Sequence, residues 1–300
     1  MGEAAYQAKW SFEDGATPTF DVNSDAWDLK SDTVKKDEKL LTTSGIRGTR
    51  GRVVANSRRG PYDVGGDISI EPSPAFLSRF LQRAMGGGTT TAPALADALI
   101  EFGMMAERAG DCVKYVGCKI NSLKLSGSAG GLIDCTINLF GKTETGGQTF
   151  AGSALGTDGS YEPFQHADLV LTLEGAARTC LSWDLTIQNN VRARGANSYT
   201  ADFLIPGPRK IMFNCTVPYD STVDADLYTD ITKNGSAGTL LLQNDNQSAL
   251  NDVSCTFSFA AVQVARQSPQ IAGDEFTLAV RAEIAGTTGA EMTCSLDLTP

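Results

Sequence analysis

The stretch VKYVGCKINSLKLSGSAGGLIDCTINLFGK, Val113 to Lys142, decides the fold class of this chain. Its second arm sets Ile133, Cys135, Ile137 and Leu139 on one face and Asp134, Thr136 and Asn138 on the other, the two-residue period of a half-buried strand. The first arm, Cys118 to Leu125, loses its alternation. Ile120 points one way and Leu123 and Leu125 the other, so a bulge or twist is expected near Asn121 and Ser122. Between the arms, SGSAGG supplies residues that tolerate positive φ. The stretch reads as a β-hairpin, and the chain around it as mainly β.

Upstream, Asp67 to Ile70 reads as a short strand stopped by Pro72. Ser73 and Pro74 then suit an N-cap and first helical turn, Phe76, Leu77, Phe80, Leu81 and Ala84 form one apolar stripe, and the glycines at 86 to 88 end the helix. The triple glycine is not a phosphate loop: it follows a helix and lacks Lys-Ser/Thr. Ala94 to Ala106 suits a helix by composition, and after Ala98 it also suits a strand. Between Lys39 and Tyr62 stand Arg47, Arg50, Arg52, Arg58 and Arg59, with glycines among them. No aromatic residue is placed to stack a base, so this loop is read as facing acidic protein surface. Residues 1 to 38 scatter Trp10, Phe12, Phe20 and Trp27 among acids. They read as an arm that packs onto something else, or as a frayed end before a strand at Thr19 to Val22.

Downstream, the Gly/Ser/Thr-rich run from Thr143 to Tyr161 is the best candidate boundary. It divides the chain into an arm (1–38), a first module (39–160) and a second (161–300). Leu169, Leu171 and Leu173, the turn EGAAR, and Trp183, Leu185 and Ile187 read as a second hairpin.

Composition narrows the function. The chain has 35 acidic and 25 basic residues and a net charge of −10, which argues against a surface built to grip phosphates. Seven cysteines without a CxxC pair read as singly packed thiols, and one histidine, His166, rules out a His-rich metal site. No run approaches a membrane span and the N-terminus lacks a signal pattern, so a soluble protein made in a reducing cytoplasm is expected. Asp220, Asp224 and Asp226 stand at helical spacing and read as a solvated face. His166 reads as an ordinary surface residue beside a strand start. No Ser or Cys has a motif that suggests activation. No enzyme, metal or cofactor is expected.

Laying the second half over the first yields an internal repeat. DISIEPSPAFLSRFLQRAMGGG at 67 to 88 falls on NCTVPYDSTVDADLYTDITKNG at 214 to 235, strand on strand and apolar stripe on apolar stripe. RGTRG, ending at Gly51, falls on RARG, ending at Gly195, Cys118 falls on Cys255, and DCTINLFGK on DEFTLAVRAE at 274 to 283. The slip near Asn121 is matched to a slip at Ala260 and Ala261. The second helix, 221 to 232, would be acidic where the first carries Arg79 and Arg83, which suits head-to-tail contact between opposite charges.

The phrases SRRGPYDVGGDISIEPSPAFLSRFLQRAMGGG, the opening hairpin and ADLVLTLEGAARTCLSWDLTIQNNVRARG, in that order, resemble the major tail tube proteins of long, non-contractile-tailed bacteriophages. The likeness runs from about residue 39 to the end. It implies β-sandwich or barrel modules, each flanked by a short helix, six per ring, with their inner sheets edge to edge around the channel that DNA passes through. It favours a strand for Ala98 to Met105, facing Thr239 to Gln243, over the helix. Two modules per chain imply a homotrimeric, pseudo-hexameric ring, with a hexamer carrying an outer domain as the alternative. Rings would stack into a tube in the virion tail after assembly in the host cytoplasm. Tape measure, terminator and distal tail proteins would be the partners, and DNA would pass without specific binding. Asp134 and Asn138 are expected to face the lumen, and Arg47, Arg50, Arg52, Arg192 and Arg194 to make contacts between subunits or rings. The alternative reading is a β-sandwich binding or decoration protein of the virion.

Overall fold

The computed structural model describes residues 8–20, 25–27, 29–42, 57–150, 163–195, 198–220, 235–244, 253–265, 268–272, 275–286 and 290–298. The chain is mainly β, with one α-helix among these residues. Its first half contains β1 (Lys9–Asp14), β2 (Asp25–Trp27), β3 (Ser31–Asp32), β4 (Lys35–Thr42) and β5 (Ser57–Ile70). Then come α1 (Pro74–Met85), β6 (Gly86–Gly88), β7 (Pro93–Leu95), β8 (Phe102–Arg108), β9 (Asp111–Ser128), β10 (Asp134–Gly141) and β11 (Thr143–Thr145). The second half opens with β12 (Leu169–Leu173), β13 (Ala176–Arg178), β14 (Ser182–Gln188), β15 (Arg192–Arg194), β16 (Phe203–Ile205) and β17 (Lys210–Pro218). It ends with β18 (Ser236–Asn244), β19 (Val253–Ala265), β20 (Gln270–Ala272), β21 (Glu275–Ala285) and β22 (Met292–Asp297).

The opening hairpin is β9 and β10, and its register steps between Asn138 and Leu139, opposite Asn121, where the broken alternation placed a bulge. α1 starts and stops on its expected signals. Ser73 Oγ accepts from Phe76 N at 3.4 Å, Pro74 opens the first turn, and Gly86 closes the helix at φ 95°. The stretch after Ala98 is a strand, β8. The second hairpin differs from its expected form. β12 turns through Glu174 and Gly175, both at positive φ, onto β13, while β14 leaves to pair with β9 and β17. Alternation gave each strand its in-out phase without naming its partner.

The order of pairing is the same in both halves. In the first, β2–β1–β8–β9–β10–β5–β4 lie side by side, and in the second β13–β12–β18–β19–β21–β17–β14. A bulge recurs at the same place. Gly103 of β8 opposes Val116 and Gly117 of β9, and Ala237 of β18 opposes Ala260 and Ala261 of β19. The slip at Ala260 and Ala261 therefore answers Val116 and Gly117, not Asn121 and Ser122. By the same ladders Cys118 corresponds to Val262 rather than Cys255, Cys135 to Leu278, and Met105 to Thr239. The sequence matches here were displaced because strand length and loop length vary independently.

Aromatic residues from the N-terminal segment enter the core. Trp10, Phe12 and Trp27 are buried, and Trp27 stacks on Phe76 and meets Phe80 edge-on. Arg83 is not on a free basic face. Its side chain is buried, it pairs with Asp14, and its guanidinium lies 5.5 Å from the Phe102 ring. The acidic helix expected at 221 to 232, with Asp224 and Asp226, lies outside the described residues, as do Asp21 and Val22 of the strand expected at Thr19 to Val22, whose Thr19 and Phe20 are not in a strand. His166 is buried rather than on the surface, with Nε2 2.8 Å from the carbonyl oxygen of Cys180.

Candidate functional face of the shared sheet

Two ladders meet along one strand pair. β14 of the second half lies antiparallel on β9 of the first, from Ser182 opposite Ser128 to Gln188 opposite Ser122. The pairing makes one sheet of the two halves. A single row of opposed residues crosses it: Ser31, Ser69, Thr136, Lys124, Thr186, Met212, Glu283 and Gln263. Their neighbours along each strand, such as Ile137, Leu125, Leu185 and Phe213, are buried in the core. One face of the sheet is apolar and covered, and the other is polar.

Charges on the polar face are paired across strands. Lys30 reaches Asp134 at 2.8 Å and Glu71 at 2.9 Å, and these hydrogen bonds push its ammonium pKa up. Lys124 stands 4.0 Å from Asp184, and Asn214 donates to the same carboxylate at 3.0 Å. Lys210 lies 3.3 Å from Glu283. Asn138 donates to Asp67 at 2.7 Å and accepts from Asn121 at 2.8 Å. The bulge at Asn121 thus supplies a polar cross-strand link.

Asp134 and Asn138 therefore share this face. Arg192 and Arg194 do not: they are exposed on β15, in the connection between β14 and β17. That connection folds back on the first half, where Arg58 donates to the Tyr199 hydroxyl at 2.8 Å and Tyr62 N donates to Tyr199 O. Arg47, Arg50 and Arg52 occupy the corresponding connection between β4 and β5 and lie outside the described residues. Lys30, Lys124, Asp184, Lys210 and Glu283 were not singled out in the sequence. Their polar phase was visible there, whereas their partners depend on register.

Such a face offers fixed, mutually neutralised charges. Burial pushes the Cys118 thiol up to about 12 and the Cys135 thiol up as well, so neither supplies a thiolate near neutral pH. A family model described as phage tail tube protein matches residues 10–300. The chain belongs to the phage tail tube protein family. A search of curated proteins gave no match. Membership makes this chain a structural component of the virion tail and fits a non-enzymatic role. Among the described residues, no helix of this tail tube protein is long and apolar enough to cross a membrane.

Proposed function

We propose that the chain is a double tail tube module and that three copies close into a ring with pseudo-sixfold symmetry. Rings stack into a non-contractile tube that conducts the genome during ejection. The observation that carries the reading is the repeated pairing order, with the same bulge between β8 and β9 as between β18 and β19. Six equivalent units per ring then need three chains. The sheet that β9 and β14 make continuous within one chain is the kind of wall such a ring extends.

On this reading the polar face lines the lumen, and Asp134 and Asn138 look onto the channel. A conduit must not hold DNA. Each lysine that touches a phosphate and displaces a counterion adds to retention, and carboxylates beside Lys30, Lys124 and Lys210 oppose such contact. The Arg-bearing connections, with Arg47, Arg50, Arg52, Arg192 and Arg194, are placed at contacts between subunits or stacked rings. Tape measure, terminator and distal tail proteins complete the tail, and assembly precedes release from the host cytoplasm.

Negative-stain microscopy of the purified protein tests this directly. Tubes or rings whose averages show threefold symmetry with six similar lobes are expected. A true sixfold with an outer domain would refute the double-module ring, and dispersed monomers would favour a decoration protein.

A further inference from the structure

The two halves do not treat their sheet edges alike. In the second half β14 is held on both sides, by β17 and by β9. Its counterpart in the first half is β3 with β4, which lies antiparallel on β5 in the same in-out phase: Trp183, Leu185 and Ile187 correspond to Asp32, Val34 and Lys36. Among the described residues, the other edge of β3 and β4 has no partner strand; only the Val34 carbonyl on it is engaged, by Arg108 at 2.9 Å and Tyr115 at 3.3 Å.

A second open edge matches it. The end of β9 that receives β14 has its counterpart in β20. Ser126 opposes Asp134 in one hairpin, and Gln270 opposes Thr277 in the other. β20 pairs only with β21 among the described residues. Side-chain exposure marks what is missing there. Gly127 is buried beneath Trp183, whereas its counterpart Ile271 is 73% exposed. Ile133 is 1% exposed, whereas its counterpart Phe276 is 58% exposed. Large apolar side chains bare on open strand edges are the expected mark of an absent neighbour.

We infer that β3 of one copy, with Thr33 after it, pairs antiparallel with β20 of a second copy of this chain, in the register that β14 takes on β9. Thr33 then stands opposite Gln270, as Asp184 stands opposite Ser126. Asp32, smaller than Trp183 and held by Arg108, faces Ile271, larger than Gly127, so the bulk of the contact changes sides. The two edges belong to different surfaces of one chain, so the contact is head-to-tail and propagates until it closes. This inference rests on the ring reading above and adds the strands and register of its joint.

Paired cysteines test it. Opposed residues in an antiparallel pair have Cα atoms about 4.5–5.5 Å apart, within the span of a disulfide. The double variant Thr33→Cys, Gln270→Cys should oxidise to a non-reducing gel ladder that ends at three chains. The out-of-register variant Thr33→Cys, Phe276→Cys should give at least tenfold less product, and so should the parent, most of whose native thiols are buried. Ile271→Asp, whose side chain is exposed in the single chain, should keep the parent's circular dichroism and sediment as a monomer. If the parent forms rings by microscopy and the in-register pair crosslinks no better than the control, the joint is wrong and the ring stands. If the parent forms neither rings nor tubes, the ring reading fails and the joint fails with it.

Discussion

Single polar residues tie the helix and the two halves together. Asn189 is buried, and its Nδ2 donates to the carbonyls of Ala84 at 2.9 Å and Ile120 at 3.0 Å, joining the end of α1 to β9. Asn189→Ala leaves both carbonyls short of a donor and should cost about 1–3 kcal/mol, read as a shifted urea midpoint. Glu101 offers a pH test. Burial alone would push its carboxyl up, but Lys142 at 2.8 Å and Lys119 at 3.3 Å hold it below its ordinary value. A folded value below the unfolded one gives stability that is full above the carboxylate range and lost as pH falls through the folded value. Glu101→Gln should therefore lower Tm by a few degrees at neutral pH, and the gap from the parent should close in acid. An Asn at the end of the alternating strand was visible in the sequence. Its two carbonyl partners were not, because they come from α1 and β9, far away in the chain.

At the scale of elements, the strand joint between halves depends on one small residue. A Cβ on Gly127 would lie 2.8 Å from Trp183 Nε1 and 3.3 Å from His166 Nδ1. Gly127→Ala should force β14 away from β9 and cost about 1–3 kcal/mol by overpacking, with slowed amides on β14 exchanging faster. The N-terminal strand is equally bound to α1, since Asp14 holds the buried Arg83 at 2.5 Å. Asp14→Ala should cost about 1.5–3 kcal/mol, read by thermal melting, because a charged hydrogen-bonded group loses its partner. Isolated aromatics among acids did signal that residues 1 to 38 pack onto something. That their target is the helix stripe of Phe76 and Phe80 follows from β1 pairing with β8.

Across the whole molecule, the polar face and the open edges have separate consequences. On the lumen reading, removing carboxylates should turn a slippery wall into a sticky one. Tubes of Asp134→Asn, Asp184→Asn should retain duplex DNA at low salt in a filter-binding assay, where parent tubes retain little. The retention should fall with salt, log affinity against log salt steepening by about 0.9 for each phosphate newly contacted. Retention equal in parent and variant would remove the lumen assignment of this face and leave the tail tube fold untouched.

The sequence by itself determined the strand-rich class, the hairpin from Val113 to Lys142, the caps of α1, the bulge at Asn121 and the likeness to tail tube proteins. These are local or periodic properties, set by side-chain alternation and by residues suited to turns. Only the tertiary structure decided that β12 folds onto β13, that β14 joins β9, that Arg83 and His166 are buried, and which lysine meets which carboxylate. Strand partners are chosen by the joint burial of faces far apart in sequence, and alternation is the same whichever neighbour a strand takes. The hairpin that fixed the fold class was legible on its own, whereas the sheet it belongs to exists only once the second half is laid beside it.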